Sequence, residues 1–183
     1  MNEDAPLAGL AGRRVRLRAF LQEDQEALGE AVEASREVLR RRFSWASRAD
    51  DPAGFLARSA RESAAGDSLV FGIFEPRTGR LAGVAALRGR ESARLAGWVR
   101  PDRQNRGFGT EAGKLIIDHV FKSREFHRVY ARIDPSNRPA RRVLKKLGFR
   151  YEGCLRSERR LNGRWVDQEC WGLLRSEWKG SSR

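Results

Sequence analysis

Between residues 99 and 112 the chain passes from an apolar strand pattern, through Pro101 and a polar stretch, into Gly107-Phe108-Gly109 and a helical pattern opened by Thr110 and Glu111. Few segments restrict a fold more. The first N–H groups of a helix have no partner inside the helix, and the helix dipole there favours anions. Glycine lets backbone approach a ligand with no Cβ in the way. Together these make a cradle suited to a pyrophosphate, to which Gln104 and Arg106 can add side-chain contacts. Two common phosphate signatures are missing: no Lys-Ser or Lys-Thr follows at the P-loop spacing, and the three glycines and downstream acid of the dinucleotide fingerprint are absent. Taken alone, the segment is equally well an ordinary glycine-rich strand-to-helix turn.

The periodicity around it predicts a mixed α/β sheet. Residues 14–20 alternate polar and apolar as a half-buried strand does. Helical spacing follows over 22–43, then a polar break at 44–51 carrying Trp45, and a second helix over 52–65 with Pro52 in its first turn. Strands are expected at 68–74, 80–87 and 93–99, a helix at 110–122, a strand at 128–133 and a helix at 137–147 closed by Gly148. Strands at 149–161 and 164–174 flank Asn162-Gly163, the strongest short hairpin signal. About seven strands and about four helices result, in an order that places helices on both faces of one sheet. The expected organisation is a flexible N-terminus at 1–11, a single domain over 12–178 and a tail at 179–183.

Of 183 residues, 40% are hydrophobic, enough for a sizeable core. No apolar run reaches membrane-spanning length and residues 1–11 lack a signal-peptide layout, so a cytoplasmic protein with no membrane partner is expected. Cys154 and Cys170 fit no metal spacing, and with only His119 and His127 beside them no metal site is expected. Thirty-seven Lys and Arg against 24 Asp and Glu leave +13. Such a field attracts polyanions: nucleic acid, a ribonucleoprotein surface or a phosphorylated cofactor. The arginine excess also fits a codon bias.

Gln104-Asn105-Arg106-Gly107-Phe108-Gly109 resembles the acetyl-CoA motif of the GNAT N-acetyltransferase superfamily, Gln/Arg-x-x-Gly-x-Gly/Ala. Residues 134–149, with Asn137 before a helix that ends in Gly148-Phe149, resemble a second block of that superfamily. Adding the 14–18 strand, the Trp45 region, Glu152 to Arg156 and the closing hairpin extends the resemblance over about residues 12–178, toward the RimJ/RimL-like branch that acts on ribosomal-protein N-termini. The resemblance implies acetyl-CoA held by Trp98, Val99, the run from Gln104 to Thr110, Asn137 and Arg142. It implies an amine acceptor, either a protein N-terminus or a small molecule such as an antibiotic or polyamine, with Trp45 walling its pocket. Contact with the ribosome or another polyanion, and a homodimer, fit the same picture.

Two positions depart from the family pattern. Asn105 stands where Gly is frequent, though Asn tolerates left-handed backbone angles. Ala140 stands where a Ser is frequent, and the Tyr that many members carry on this helix is missing. Asn137 is either a helix N-cap or a partner of the pantetheine arm. Ser136 is a cap or a polar group near the sulfur. The run Arg141, Arg142, Lys145, Lys146 is a solvated face or a contact for the 3′-phosphate. Direct attack of an amine on the thioester needs a base, a donor to the carbonyl oxygen and alignment. A backbone N–H near Trp98 or Val99 is expected to be the donor. Glu91, Asp134, Glu152 and Glu169 lie near strand ends, and Glu91, just before the 93–99 strand, stands where some members carry the base. Neither cysteine has a credible His partner for nucleophilic chemistry. A nucleic-acid-binding domain without catalysis would explain the charge but not the glycine turn, and no nucleic-acid-binding motif appears.

Overall fold

A computed structural model describes residues 9–43, 51–122 and 126–180. In chain order the elements are β1 (Leu10–Ala11), β2 (Arg16–Arg18), α1 (Gln25–Arg42), α2 (Pro52–Ala64), β3 (Ser68–Phe74), β4 (Leu81–Arg88), β5 (Ser92–Val99), α3 (Phe108–Lys122), β6 (Arg128–Ile133), α4 (Arg138–Lys146), β7 (Arg150–Leu161) and β8 (Arg164–Leu174). Short 3₁₀ turns precede α1, follow β5 and follow β8. The strands form one sheet in the order β1-β2-β3-β4-β5-β6-β8-β7. It is a mixed sheet: β5 and β6 run parallel, and every other neighbouring pair is antiparallel.

Eight strands rather than seven follow from β1, a two-residue strand paired with β2. α3 starts at Phe108, two residues earlier than expected, so Gly109 belongs to the helix and only Gly107 to the turn. Trp45 lies outside the described residues.

Alternation divides the core into two layers. Phe71 and Ile73 of β3 face α3, whose Ala112, Ile116, Ile117 and Val120 are buried against them. Val70 and Phe74 of the same strand face Leu28 and Ala31 of α1 and Leu56 of α2. In β4 the alternation breaks, because Ile73 pairs with Gly83 while Phe74 pairs with Leu81, leaving Ala82 as an extra residue. That bulge puts Ala82 and Ala85 in the α3 layer, and Leu81 and Val84 in the α1–α2 layer. Each fully buried Leu, Ile or Phe contributes roughly 1.5–3 kcal/mol.

The pairing of β5 with β6 positions the site. It covers only Ser92–Arg94 against Arg128–Tyr130. Both strands run on, β5 to Val99 and β6 to Ile133, without further pairing to each other. The sheet is therefore open on the side from which β5 leads into α3.

Candidate active site

A cleft of about 570 Å³ occupies this opening. Its walls are the far half of β5 (Leu95 to Val99), the end of β6 (Ala131 to Asp134), the start of α3 and the exposed flank of α4.

At one end lies the glycine turn. After Val99 the chain makes a 3₁₀ turn over Pro101–Arg103. Arg103 pairs with Glu75 and lies 2.9 Å from Asp102, tying the turn to the end of β3. The Gln104 amide donates to the Val99 carbonyl at 3.0 Å. Asn105 has φ 60, the left-handed angle its side chain tolerates, and Gly107 has φ 83. The Gly107 carbonyl then accepts the Glu111 N–H at 2.9 Å as α3 begins. Glu111 has a second task, since its carboxylate accepts the N–H groups of Arg13 and Arg14 at 2.7 and 2.9 Å and anchors the chain between β1 and β2. A Cβ at Gly109 would stand 3.6 Å from Val99 Cγ2 and 3.9 Å from Val143 Cγ2, inside the cleft. The glycine thus leaves open a space that a side chain would fill, and the turn fits a pyrophosphate laid against the helix N-terminus.

Most of the residues expected to hold the cofactor meet here. Trp98, Val99, Gln104, Asn105, Gly107 to Thr110, Asn137 and Arg142 all line the cleft; Arg106 does not. Asn137 is the N-cap of α4, its Oδ1 accepting the Ala140 N–H at 3.2 Å. The basic run on α4 divides by function of position. Arg142 and Lys146, one turn apart, face the cleft. Arg141 instead donates to Glu169 at 2.6 and 3.2 Å and to the Pro135 carbonyl at 2.8 Å.

The acidic residues separate sharply. Glu91 stands at the closed end of the β5–β6 pair, where its carbonyl accepts the His127 N–H, and is not among the residues lining the cleft. It is the wrong end of the strand for a base, because the sheet opens only after Arg94, from Leu95 onward. Glu152 is paired with Arg128, whose hydrogen bonds hold its carboxyl below the usual range. Glu169 is buried between Arg141 and the Trp171 indole, which donates at 3.1 Å. Asp134 alone of the four lines the cleft. Its Oδ1 accepts the Ser136 N–H at 2.7 Å and the Ser136 hydroxyl at 2.6 Å, and Arg42 stands 3.4 Å away. The Ser136 hydroxyl also accepts from Arg42 at 2.8 Å and stays outside the lining, so it orients Asp134 instead of facing the cleft. Cys154 is exposed and its thiol is pushed up by partial desolvation and by Asp167 and Glu169, the opposite of an activated nucleophile.

Sequence reasoning missed the far end. Arg42, Arg94, Arg132, Arg159 and Gln168 line it, from α1, β5, β6, β7 and β8. The β7–β8 hairpin closes this end against α1: both terminal nitrogens of Arg159 lie 3.1 Å from the Arg42 carbonyl, and Asn162 donates to the Arg40 carbonyl at 3.0 Å.

A split parallel strand pair with a glycine turn leading into the next helix is the architecture of an acyl-CoA-binding transferase, and the comparisons agree. The model of the acetyltransferase (GNAT) domain matches residues 14–150, and the chain belongs to that family. An uncharacterized N-acetyltransferase, YnaD of Bacillus subtilis, is 37% identical over 83 residues, 45% of this chain and 49% of that one. The [ribosomal protein uS5]-alanine N-acetyltransferase of Escherichia coli is 28% identical over 118 residues, 62% of this chain and 61% of that one. The chain thus spans about half to three fifths of the length of these two relatives. Among solved structures, Mycobacterium smegmatis RimJ in complex with CoA-disulfide superposes with a TM-score of 0.83 at 27% identity, covering 97% of this chain and 89% of that one. No helix among the described residues is long and apolar enough to cross a membrane.

Proposed function

We propose that residues 12–178 form one catalytic unit that moves the acetyl group of acetyl-CoA to the α-amine of a protein N-terminus. The observation that carries this is the opening between β5 and β6, which leads from the glycine turn of α3 to Asp134. Acetyl-CoA supplies an activated acyl carbon with a thiolate leaving group. The chain's own residues supply the rest. The α3 N-terminus, with Gly107 and Gly109, receives the phosphates, and Arg142 and Lys146 add charge beside them. The free edge of β5 offers backbone groups to the pantetheine arm and a donor near Trp98 or Val99 to the carbonyl oxygen.

Asp134, oriented by Ser136 and Arg42, takes the proton from the amine directly or through one water. The amine nitrogen bonds to the acetyl carbon as the C–S bond breaks, and the proton lost by the amine ends on the CoA sulfur. An α-amine with a pKa near ~8 is already partly neutral at pH 7, so a carboxylate suffices as acceptor of its proton. A net charge of +13 supports docking on an RNA-rich particle such as the ribosome, and the likeness to the uS5-alanine enzyme points the same way. A polyamine acceptor is disfavoured, because Asp134 is the single carboxylate lining the cleft among the described residues.

The test has two stages. Acetyl-CoA at 100 times its Kd should stabilise the fold by about 2.7 kcal/mol, read as a rise in Tm. Peptides with free α-amines should then release CoA thiol faster than spermidine or aminoglycosides. Absence of any Tm shift at millimolar acetyl-CoA would defeat the enzymatic reading; preference for the small amines would defeat the choice of acceptor.

A further inference from the structure

Among the described residues, the acceptor end of the cleft holds more positive charge than its surroundings neutralise. Four guanidiniums line it, those of Arg42, Arg94, Arg132 and Arg159. Arg42 stands opposite Asp134 at 3.4 Å, and Arg132 pairs with Glu158. Arg159 spends both terminal nitrogens on the neutral carbonyl of Arg42, and no carboxylate among the described residues forms an ion pair with it. The Nε atoms of Arg94 and Arg159 are buried with no hydrogen-bond partner among the described residues. Burial works most strongly against the charged form of Arg94; nearby Arg132 and Arg159 add to that effect, and Tyr130 and Glu158 offset it only in part, so that the balance stays against the charge. A guanidinium nevertheless stays protonated. A buried donor left unpaired is costly, and an uncompensated buried charge is costlier, so an anion brought to these groups from outside would be bound favourably.

The acetyl donor does not bring that partner. Its negative charge lies in its phosphates, at the glycine turn, whereas its pantetheine and acetyl end is neutral. Arg94 sits five residues before the end of β5, roughly 17 Å along the strand from that turn. It shares a strand face with Trp98, which packs on the α1–α2 layer, so it points away from α3. The unmatched donors therefore face the acceptor.

We propose that the acceptor is an anionic amine: a peptide whose first residues carry a carboxylate or phosphate, which the Arg94 guanidinium receives with the charge of Arg159 beside it, while the α-amine reaches the acetyl carbon beside Asp134. The inference rests on the transfer reaction argued above and adds to it the charge of the acceptor. Such a peptide is dipolar, and the cleft is complementary to it, with a carboxylate for the ammonium and guanidinium charge for the anion.

The test uses the whole chain, acetyl-CoA and peptides Ser-Xaa-Ala-Ala with Xaa as Asp, Glu, phosphoserine, Asn, Gln or Lys, read by thiol release. The acidic peptides should exceed their amide counterparts in kcat/KM by about tenfold or more, with Lys slowest. A phosphoserine peptide faster than the aspartate one supports the anionic acceptor and assigns the anion as phosphate. Arg94→Gln should bring the acid-to-amide ratio toward one, and Arg94→Lys should restore part of it; a merely structural arginine would not move this ratio. If that variant does not fold, the wild-type series still decides. Equal rates for acidic and amide peptides overturn the inference while leaving acetyl transfer intact. If every peptide is inert while acetyl-CoA still raises Tm, the peptide acceptor falls and the inference falls with it.

Discussion

The two ends of the cleft are built by different means. The cofactor end rests mainly on one stretch of sequence and on backbone: a strand edge, a glycine turn with φ 60 at Asn105 and 83 at Gly107, and the start of α3, with Arg142 and Lys146 of α4 beside them. The acceptor end is assembled from side chains on α1, β5, β6, β7 and β8, with Arg159 reaching Arg42 across 117 residues. Backbone sites serve one invariant ligand, since N–H groups and helix dipoles do not change with substitution. Side-chain sites can be retuned singly, which suits the half of a transferase that chooses the acceptor.

The sharpest way to break this contrast is to put a side chain into the backbone half. Gly109 has no positive φ, and a Cβ there would meet Val99 and Val143 at ordinary contact distances, so Gly109→Val should fold. Its methyl groups would occupy the space where the backbone is bare. The Tm rise with acetyl-CoA should vanish, and kcat/KM for acetyl-CoA should fall on the order of a hundredfold. The unliganded Tm should move little. A variant still stabilised like the wild type would place the phosphates elsewhere and dissolve the distinction between the two ends.

Asp134 tests the acceptor half. Asp134→Asn keeps the size of the side chain but removes the charge facing Arg42. It should lower kcat about a hundredfold, with little change in KM for acetyl-CoA. Its rate should climb with pH toward the ~8 of an α-amine, because only pre-neutralised amine remains reactive. An unchanged kcat would move the proton transfer to water or another group.

The same contrast explains what could be foreseen. Asn137 before α4, Gly148 after it and Asn162-Gly163 in the β7–β8 hairpin announce themselves, because caps and tight turns constrain residue type locally; Asn162 and Gly163 indeed take φ 49 and 81. β1 could not be foreseen, since two residues cannot display an alternation. Arg94, Arg132 and Arg159 occupy polar positions of alternating strands, which normally mark a solvent face. Only the placement of α1 across the sheet walls them in, and that is tertiary. Glu91 misled for a similar reason: proximity to a strand says nothing about which end of it opens.

The smallest expected effect sharpens the comparison through pH. α1, which walls the acceptor end, is fixed at its start by Asp24. This buried carboxylate accepts from Arg18 at 2.6 and 2.8 Å and from the Leu21 N–H at 2.7 Å. Burial raises its pKa, but the Arg18 and Leu21 hydrogen bonds outweigh it and hold the group below the ordinary 3.8. A carboxylate depressed in the folded state contributes its full stability above the unfolded value near 3.8 and loses it as pH falls through the lower folded value. Asp24→Asn should therefore cost about 1–3 kcal/mol at pH 7, and the gap to the wild type should close as pH drops below that value. Hydrogen exchange should show α1 opening before α3 in acid, because Asp24 is buried at the start of α1, whereas the carboxylates bonded around the cofactor end, Glu75 and Asp102 at the turn and Glu111 and Asp118 on α3, stand at its margins. Simultaneous loss of protection in both helices would mean that the two ends, however differently built, unfold as one unit.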